Sequence, residues 1–395
     1  MKHRPVFSTL FLSFLLAVSC GKQDPLVPSQ GRGSLVESVQ LGTLTKAQVA
    51  ELITDFSAQN VARYDVTYHA ITYRTEYDGG GVESKGLLIL PTGVAAPPLL
   101  AYFHGTLLPL PSLMKKETPS LFAGSADGFR EVRTMGLGFA SAGYAVFLPD
   151  YIGYGLTEKK EHPYIYYPEM FKSNVDGLLA AREFLTKQGV PANKRLFLTG
   201  WSQGGGACLS AHKYIQESYA DRFEVVASSS LAAPSNVTRL VNTVLEKEKE
   251  AQGILFVVSW ALYSINRFSA IKRPTDQIWT YPVPNQMAAV LPLSNVPDQI
   301  LRGAFIRGIR TGTDRAFADE LKRNSVHEGW KPVGRVFLHH GDDDSVVPYF
   351  NSVDALNGLK AQGGDVTLYT YPGGDHDTEL DNFVLTTLND FEPLK

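Results

Sequence analysis

The stretch TGWSQGGG (199–206) places four glycines around one serine. Glycine weakens any helix or strand that contains it, so this crowding around a hydroxyl needs a steric reason. The stretch follows the apolar run RLFLTG (195–200) and leads into ACLSAHKY (207–214), which reads as a helix. In a strand–turn–helix context, G-x-S-x-G describes a nucleophile elbow. The serine takes strained backbone angles there, and its hydroxyl projects above the sheet. Neighbours two positions away must be small or they collide with the strand and the helix, which accounts for Gly200 and Gly204 flanking Ser202. Gly205 and Gly206 let the start of the helix pack closely and leave backbone N–H groups free. A chance glycine turn is the plainer reading, but it leaves the flanking strand and helix unexplained.

A serine hydroxyl needs a base, and the base needs an orienting acid. Behind such an elbow the chain order is Ser, acid, His. Of nine histidines, His376 alone lies beyond the last acid candidates, in YPGGDHDTEL (371–380), where glycines let a loop reach back. Thr378 and Asp381 suggest a capping box for the closing helix. His104, His339 and His340 read as packing or edge contacts. The acid lies in HHGDDDSVVPY (339–349), which offers Asp342, Asp343 and Asp344. Three carboxylates converging on one imidazole would raise one another's pKa, so at least two should face solvent or cap turns. Consecutive acids do not fit the alternating spacing of a calcium loop, and no metal site is read here.

Working outward, short apolar runs alternate with helical patterns. Candidate strands are 66–73, 86–90, 99–103, 145–148, 196–198, 225–229, 333–339 and 366–371, the first two forming a hairpin around EYDGGG (76–81). Helical patterns at 172–187 and 353–361 follow such strands. The alternation predicts an α/β fold, a mostly parallel, doubly covered sheet of about eight strands. Ahead of it, TKAQVAELITDFSAQN (45–60) reads as a helix with Val49, Leu52, Ile53 and Phe56 on one face. From 236 to 330 the text turns helical without a clear strand. This is read as a cap inserted over the carboxyl ends of the strands, where open α/β sheets bind ligands. Its charge run EKEKE (246–250) reads as a solvated helix face. Its apolar run GILFVVSWALYSINRF (253–268) is too short to span a bilayer. That run brings Phe256, Val257, Trp260 and Tyr263 to Ile265 near the site; the plainer reading is that they only glue the cap to the sheet, and Trp260 is the expected substrate contact if the rest line an acyl pocket.

The amino-terminal twenty residues, MKHRPVFSTLFLSFLLAVSC, have a basic start (Lys2, His3, Arg4) and an apolar stretch over 6–18. They read as an export signal. LAVSC (16–20) resembles the lipobox of bacterial lipoproteins, which implies lipidation of Cys20 and a cell-envelope location. An ordinary cleaved signal is the alternative. Residues 21–44, with QDPLVPSQGRGS, read as a flexible tether, leaving 45–395 as the folded domain. Of the two cysteines, Cys208 then has no disulfide partner and reads as a small buried hydrophobe. The net charge of −3, from 37 basic and 40 acidic residues, gives no electrostatic footprint for nucleic acid.

With these residues in place, the chain resembles the α/β-hydrolase superfamily from about Val66 onward. In that family the acid lies in G-x-x-D-x-x-V-P after the penultimate core strand; GDDDSVVP (341–348) matches, which implies Asp344. FHGT (103–106) is similar to the family's H-G loop, which implies an oxyanion N–H from Thr106, with Gln203 supplying the other. LPDYIGYG (148–155) and EHPYIYY (161–167) resemble secreted lipases and esterases of the Candida antarctica lipase A type; the cap carries no motif of that group. The resemblance implies ester hydrolysis through an acyl-enzyme on Ser202, with His376 as base, Asp344 as its partner and no cofactor. The substrate would be a small-molecule or lipid ester. A serine peptidase and a polysaccharide acetyl or feruloyl esterase are alternatives on the same fold. A non-catalytic surface binding protein is the alternative of another class.

Overall fold

The computed structural model describes residues 31–53, 59–110, 131–191 and 193–395. The leader with Cys20, the first ten residues of the expected tether and Phe56 lie outside the described residues. One sheet contains nine strands: β1 Leu35–Leu44, β2 Val66–Tyr77, β3 Gly80–Pro91, β4 Leu99–Phe103, β5 Ala145–Pro149, β6 Arg195–Trp201, β7 Glu224–Leu231, β8 Arg335–Gly341 and β9 Val366–Tyr371. Their spatial order is β1-β2-β3-β5-β4-β6-β7-β8-β9. The pairings from β1 to β5 are antiparallel, and those from β5 through β4 to β9 are parallel.

Period-2 alternation in the central strands divides the core into two layers. Leu99, Ala101 and Phe103 of β4, with Leu196 and Leu198 of β6, pack on one face against α3 (Tyr167–Lys187) and α4 (Gln203–Ser218), elements numbered after α1 (Lys46–Leu52) and α2 (Gly138–Ser141). Leu100, Tyr102 and Phe197 point to the other face, which α1, α2 and the closing helix (Leu380–Phe391) cover. Burial on both faces is why these strands read as unbroken apolar runs. The β2–β3 hairpin turns at Asp78 and Gly79, both with positive φ (53° and 78°), the geometry a two-residue type I′ turn requires.

The tether expectation is corrected over its second half. Residues 35–44 form β1, an edge strand paired antiparallel to β2. The strand shows no apolar pattern because most of its side chains are exposed, including Val36, Val39 and Leu41. What holds it is backbone pairing and an anchor just before it. The Arg32 side chain is buried, donating from Nε to Asp176 Oδ2 at 2.8 Å, from one terminal nitrogen to Glu76 Oε2 at 3.1 Å and from the other to the Lys172 carbonyl at 3.2 Å. Thr75 Oγ1 also donates to Asp176, at 2.6 Å. The first helix is shorter than expected. It starts on the Thr45–Gln48 capping box and ends at Leu52, and Gln59–Val61 is a separate 3₁₀ turn.

Between β7 and β8 the cap consists of α5 (Val237–Glu246), α6 (Leu255–Phe268), α7 (Gln286–Val290), α8 (Pro297–Ile300), α9 (Gly303–Arg310) and α10 (Arg315–Asn324), with an isolated bridge between Trp279 and Leu301. The charge run 246–250 is largely solvated, as expected, but as a turn past the end of α5 rather than as a helix face. After β8 come α11 (Phe350–Ala361) and, after β9, α12 (Leu380–Phe391).

Removing Arg32 leaves a buried, uncompensated Asp176. Burial pushes this carboxyl up to about 6, against the opposing pull of Arg32 and Thr75. A carboxyl that binds protons more tightly when folded stabilises the fold less as pH rises above its unfolded value of about 3.9. Arg32→Ala is therefore expected to cost about 3 kcal/mol at pH 8, the scale of a broken buried pair. The loss should be smaller at pH 5, where Asp176 can take a proton. Urea unfolding at the two pH values reads this, and an equal loss at both would remove Asp176 from the explanation.

Candidate active site

β6 ends at Trp201, α4 begins at Gln203, and Ser202 between them has φ 58° and ψ −124°. Its N–H donates to the Leu231 carbonyl at 2.9 Å, tying the turn to β7. The four glycines now have individual reasons. A Cβ on Gly200 would overlap the Gly204 carbonyl, and one on Gly204 would overlap the Phe103 carbonyl and come within 2.6 Å of the His104 carbonyl. A Cβ on Gly205 would lie 2.7 Å from the Leu231 carbonyl, and one on Gly206 would strike the Tyr167 hydroxyl. Strands β4, β6 and β7 thus meet the first turn of α4 at backbone contact, and Ser202 stands at that meeting point.

The structure brings Ser202, His376 and Asp344 into one hydrogen-bonded line. His376 Nε2 lies 2.9 Å from Ser202 Oγ and its Nδ1 lies 2.8 Å from Asp344 Oδ2. A carboxylate only accepts, so Nδ1 carries the hydrogen and Nε2 accepts from the serine hydroxyl. Asp344 Oδ1 accepts from the N–H groups of Val346 (2.8 Å) and Val347 (2.7 Å). Burial alone would raise this carboxyl. The hydrogen bonds from His340, His376 and Val347 outweigh it and hold Asp344 well below the usual carboxylate range. The other two acids turn away: Asp342 and Asp343 are exposed, and Asp342 Oδ1 accepts from Gly373 N–H at 2.6 Å.

Several contributors at the site carry no sequence signal of their own. Asp375 Oδ1 accepts from Ser345 N–H (2.9 Å) and His376 N–H (2.8 Å), so the acid loop and the histidine loop brace each other. Trp201 Nε1 donates to the His376 carbonyl at 2.9 Å. His340, expected only to pack, lies with Nε2 2.7 Å from the Val347 carbonyl and 3.3 Å from Asp344 Oδ2. The expected capping box at Thr378 and Asp381 does not form. Thr378 Oγ1 instead accepts from Asp375 N–H at 3.0 Å, closing the histidine turn, and the cap residue of α12 is Glu379. His104 and His339 are buried as expected, and burial pushes them down to about 4 and about 3. Cys208 is free and buried.

Gln203 directly follows Ser202, and Thr106 lies three residues past the end of β4. Gln203 is the first residue of α4, where an N–H has no intrahelical acceptor. Its side-chain amide reaches His162 Nε2, and His162 Nδ1 donates to the Ile152 carbonyl at 2.8 Å. Beside it, the loop from His104 to Leu107 is held by tyrosines of the LPDYIGYG and EHPYIYY segments. Tyr151 donates to the His104 carbonyl (3.0 Å), Tyr154 to the Leu107 carbonyl (2.5 Å), and Tyr164 pairs with Thr106 Oγ1 (2.9 Å). Trp260 does not present open surface to this site. It is fully buried and stacked on Tyr164 with centroids 3.9 Å apart. α6 is apolar on almost every face, which makes it a core helix of the cap rather than a surface one.

This sheet, with a serine on a strand-to-helix elbow, is an α/β-hydrolase. The chain belongs to the hydrolase family described as serine aminopeptidase, S33, which it matches over residues 120–382. Among solved structures it is similar to a candidate hydrolase from Legionella pneumophila (TM-score 0.77, 21% identity, covering 91% of this chain and 98% of that one). It is also similar to the rice cell wall degrading esterase LipA from Xanthomonas oryzae (TM-score 0.76, 20% identity, 93% and 100% covered). A third is Candida antarctica lipase A in its closed state (TM-score 0.67, 16% identity, 94% and 86% covered). At these identities the likeness is one of fold. No curated protein matches the chain in sequence.

The backbone contact at the elbow makes a stability prediction. Gly204→Ala drives a methyl group into the Phe103 carbonyl, and neither backbone can yield without moving a central element. The expected loss exceeds about 4 kcal/mol, the range reserved for such defects. Gly81→Ala, with open space around its Cβ, should stay within about 0.5 kcal/mol. Urea midpoints of the two variants make the comparison.

Proposed function

We propose that this chain is a serine carboxylic ester hydrolase. The observation that carries the reading is His376, set between Ser202 Oγ at 2.9 Å and Asp344 Oδ2 at 2.8 Å. In this mechanism His376 Nε2 takes the proton as Ser202 Oγ attacks the ester carbonyl. Asp344, kept ionised, stabilises the imidazolium and fixes its ring. The N–H groups of Gln203 and Thr106 receive the negative oxygen, each worth roughly 3 kcal/mol in the transition state. The imidazolium then protonates the leaving alcohol. Water, deprotonated by His376, releases the acid from the acyl-enzyme.

The family description makes peptide hydrolysis the second reading. An aminopeptidase must neutralise a substrate ammonium. Among the described residues, three carboxylates of the acid and histidine loops are already engaged: Asp344 with His376, Asp342 with Gly373 and Asp375 with Ser345. That favours an uncharged ester, and the solved relatives named as esterase and lipase agree in direction. Removal of small acyl groups from polysaccharide is a variant of the same chemistry.

Ser202→Ala should lower ester turnover by about 10⁴-fold or more, and Asp344→Asn by about 10⁴-fold. Asp342→Asn and Asp343→Asn should stay within about tenfold, because neither carboxylate meets the imidazole. The measurement is kcat/KM on p-nitrophenyl acetate, butyrate, octanoate and palmitate beside aminoacyl p-nitroanilides. Faster turnover of the anilides would favour the peptidase.

The leader supports export and lipidation at Cys20, with the folded domain held at the cell envelope. Wild-type protein is expected in the membrane fraction with a lipid-modified amino terminus, and Cys20→Ser in the soluble fraction. Two or more chains would be needed for firm anchoring, since one binds only marginally. Intact-mass analysis showing an unmodified terminus at another position would remove the anchor.

A further inference from the structure

The peptide groups just before Thr106 are fixed by side chains from distant parts of the chain. In a trans peptide the C=O and N–H on either side of one bond point in opposite directions. The plane joining His104 and Gly105 is held at both edges. Its carbonyl accepts from Tyr151 Oη at 3.0 Å, and its N–H donates to Glu131 Oε1 at 2.7 Å. In the plane joining Gly105 and Thr106, the carbonyl lies 2.8 Å from His104 Nδ1. Because that carbonyl faces the imidazole, the Thr106 N–H must face the opposite way.

Glu131 is the unusual member of this set. It is 4% exposed, and its Oε1 also accepts from Tyr102 Oη at 2.5 Å, the short separation of an O–H bonded to a carboxylate. Gly105 has no side chain to push the carboxylate away. A Cβ there would stand 3.4 Å from Glu131 Oε2 and 3.0 Å from the Trp201 ring. Burial pushes Glu131 up to about 7, against the pull of the bonds from Tyr102 and Gly105. Keeping such a group in a core is unfavourable for stability, and an apolar residue would be the cheaper choice if packing were its only task.

We propose that Glu131 is a positioning residue for catalysis, its carboxylate holding the Gly105 N–H so that the next amide, that of Thr106, is aimed at the oxyanion formed on Ser202. This rests on the reading of Ser202 as nucleophile. The loop would otherwise rotate about the two soft torsions of Gly105, the residue in the segment with the widest conformational freedom. Loss of aim acts on the transition state and leaves ground-state ester binding nearly untouched.

The test uses Glu131→Ala, Glu131→Gln and Tyr102→Phe in the full chain, with Ser202→Ala as reference. Two readings are taken: kcat and KM on p-nitrophenyl butyrate, and inhibition by an aliphatic trifluoromethyl ketone. That ketone adds to Ser202 Oγ: the new C–O bond forms, the carbonyl π pair moves to oxygen, and the serine proton passes to His376. Glu131→Ala should lower kcat about 100-fold, the scale of a misplaced catalytic group, with KM little changed, and should weaken the ketone by a similar factor. Glu131→Gln should recover most of this, because an amide oxygen still accepts from Gly105, and Tyr102→Phe should keep kcat near wild type. If Glu131→Ala does not fold, the pair Tyr102→Phe with Glu131→Met replaces both partners by apolar groups of similar volume. It should show the same loss in kcat and in ketone affinity. Wild-type kcat in Glu131→Ala, or in the double variant that replaces it, overturns the proposal, as does Gln performing no better than Ala. Turnover surviving in Ser202→Ala would instead overturn the nucleophile reading, so the two failures are separable.

Discussion

The contact between the Gly204 Cα and the Phe103 carbonyl is the constraint on which the site depends. It brings the end of β4 against the first turn of α4, so the residues that follow each of them share one small space. His104, Gly105 and Thr106 follow β4, and Gln203 opens α4. A serine pinned between them at φ 58° is a strained conformation that an isolated peptide would leave. It persists because Ser202 N–H is held by Leu231 and because the glycines leave the surrounding backbones no reason to separate. Much of the local architecture follows from omitting side chains at four positions.

A second layer supports this one. Tyr151, Tyr154, His162 and Tyr164 stack among His104 and Trp260 beneath the loop, with ring centroids from 3.9 to 6.5 Å apart. Several keep a polar tip for a backbone carbonyl or a neighbouring hydroxyl, which suits aromatic residues to a wall that must be both apolar and directional. The cap enters this arrangement from behind. Trp260 of α6 backs Tyr164, which pairs with Thr106. The cap therefore contributes to the frame of the site as well as to whatever lies above it.

The central strands were legible because β4, β5 and β6 are buried on both faces and leave apolar runs in the text. Ser202 and His376 were legible because the elbow and the chain order behind it single them out, whereas Asp344 was separated from Asp342 and Asp343 only through the family resemblance. β1 was not, since an edge strand held by backbone pairing and by an adjoining arginine whose partners are distant in sequence leaves no periodic trace. The hairpin arms were read short for a similar reason: their tips at Thr75–Tyr77 and Gly80–Glu83 pair through the backbone, and polar residues and two glycines there interrupt the apolar pattern that Tyr77 and Val82 would continue. Glu131 and His162 escaped for another. Each acts on a partner 26 or 41 residues away in sequence, and nothing in local composition marks such a pair. Trp260 reads as a substrate contact from sequence because an apolar helix looks alike whether it lines a pocket or fills a core.

The order in which the sheet is completed bears on when the site first exists. Ser202 comes from the middle of the sheet, whereas Asp344 and His376 leave β8 and β9 at its far parallel edge, and Asp375 locks their two loops together. β9 is retained by its pairing with β8, and α12 returns beneath the sheet to place Thr387 against Ser229 and Phe391 against Phe197. A chain emerging from synthesis would possess the elbow and the loop that follows β4 long before it possesses the imidazole. On the proposed reading it would stay chemically silent until the last strand had paired. Parallel pairing at an edge is slow, because loop closure must precede the contacts that reward it. Hydrolysis would then report the completion of folding, and the chain would carry an unarmed serine through every earlier stage.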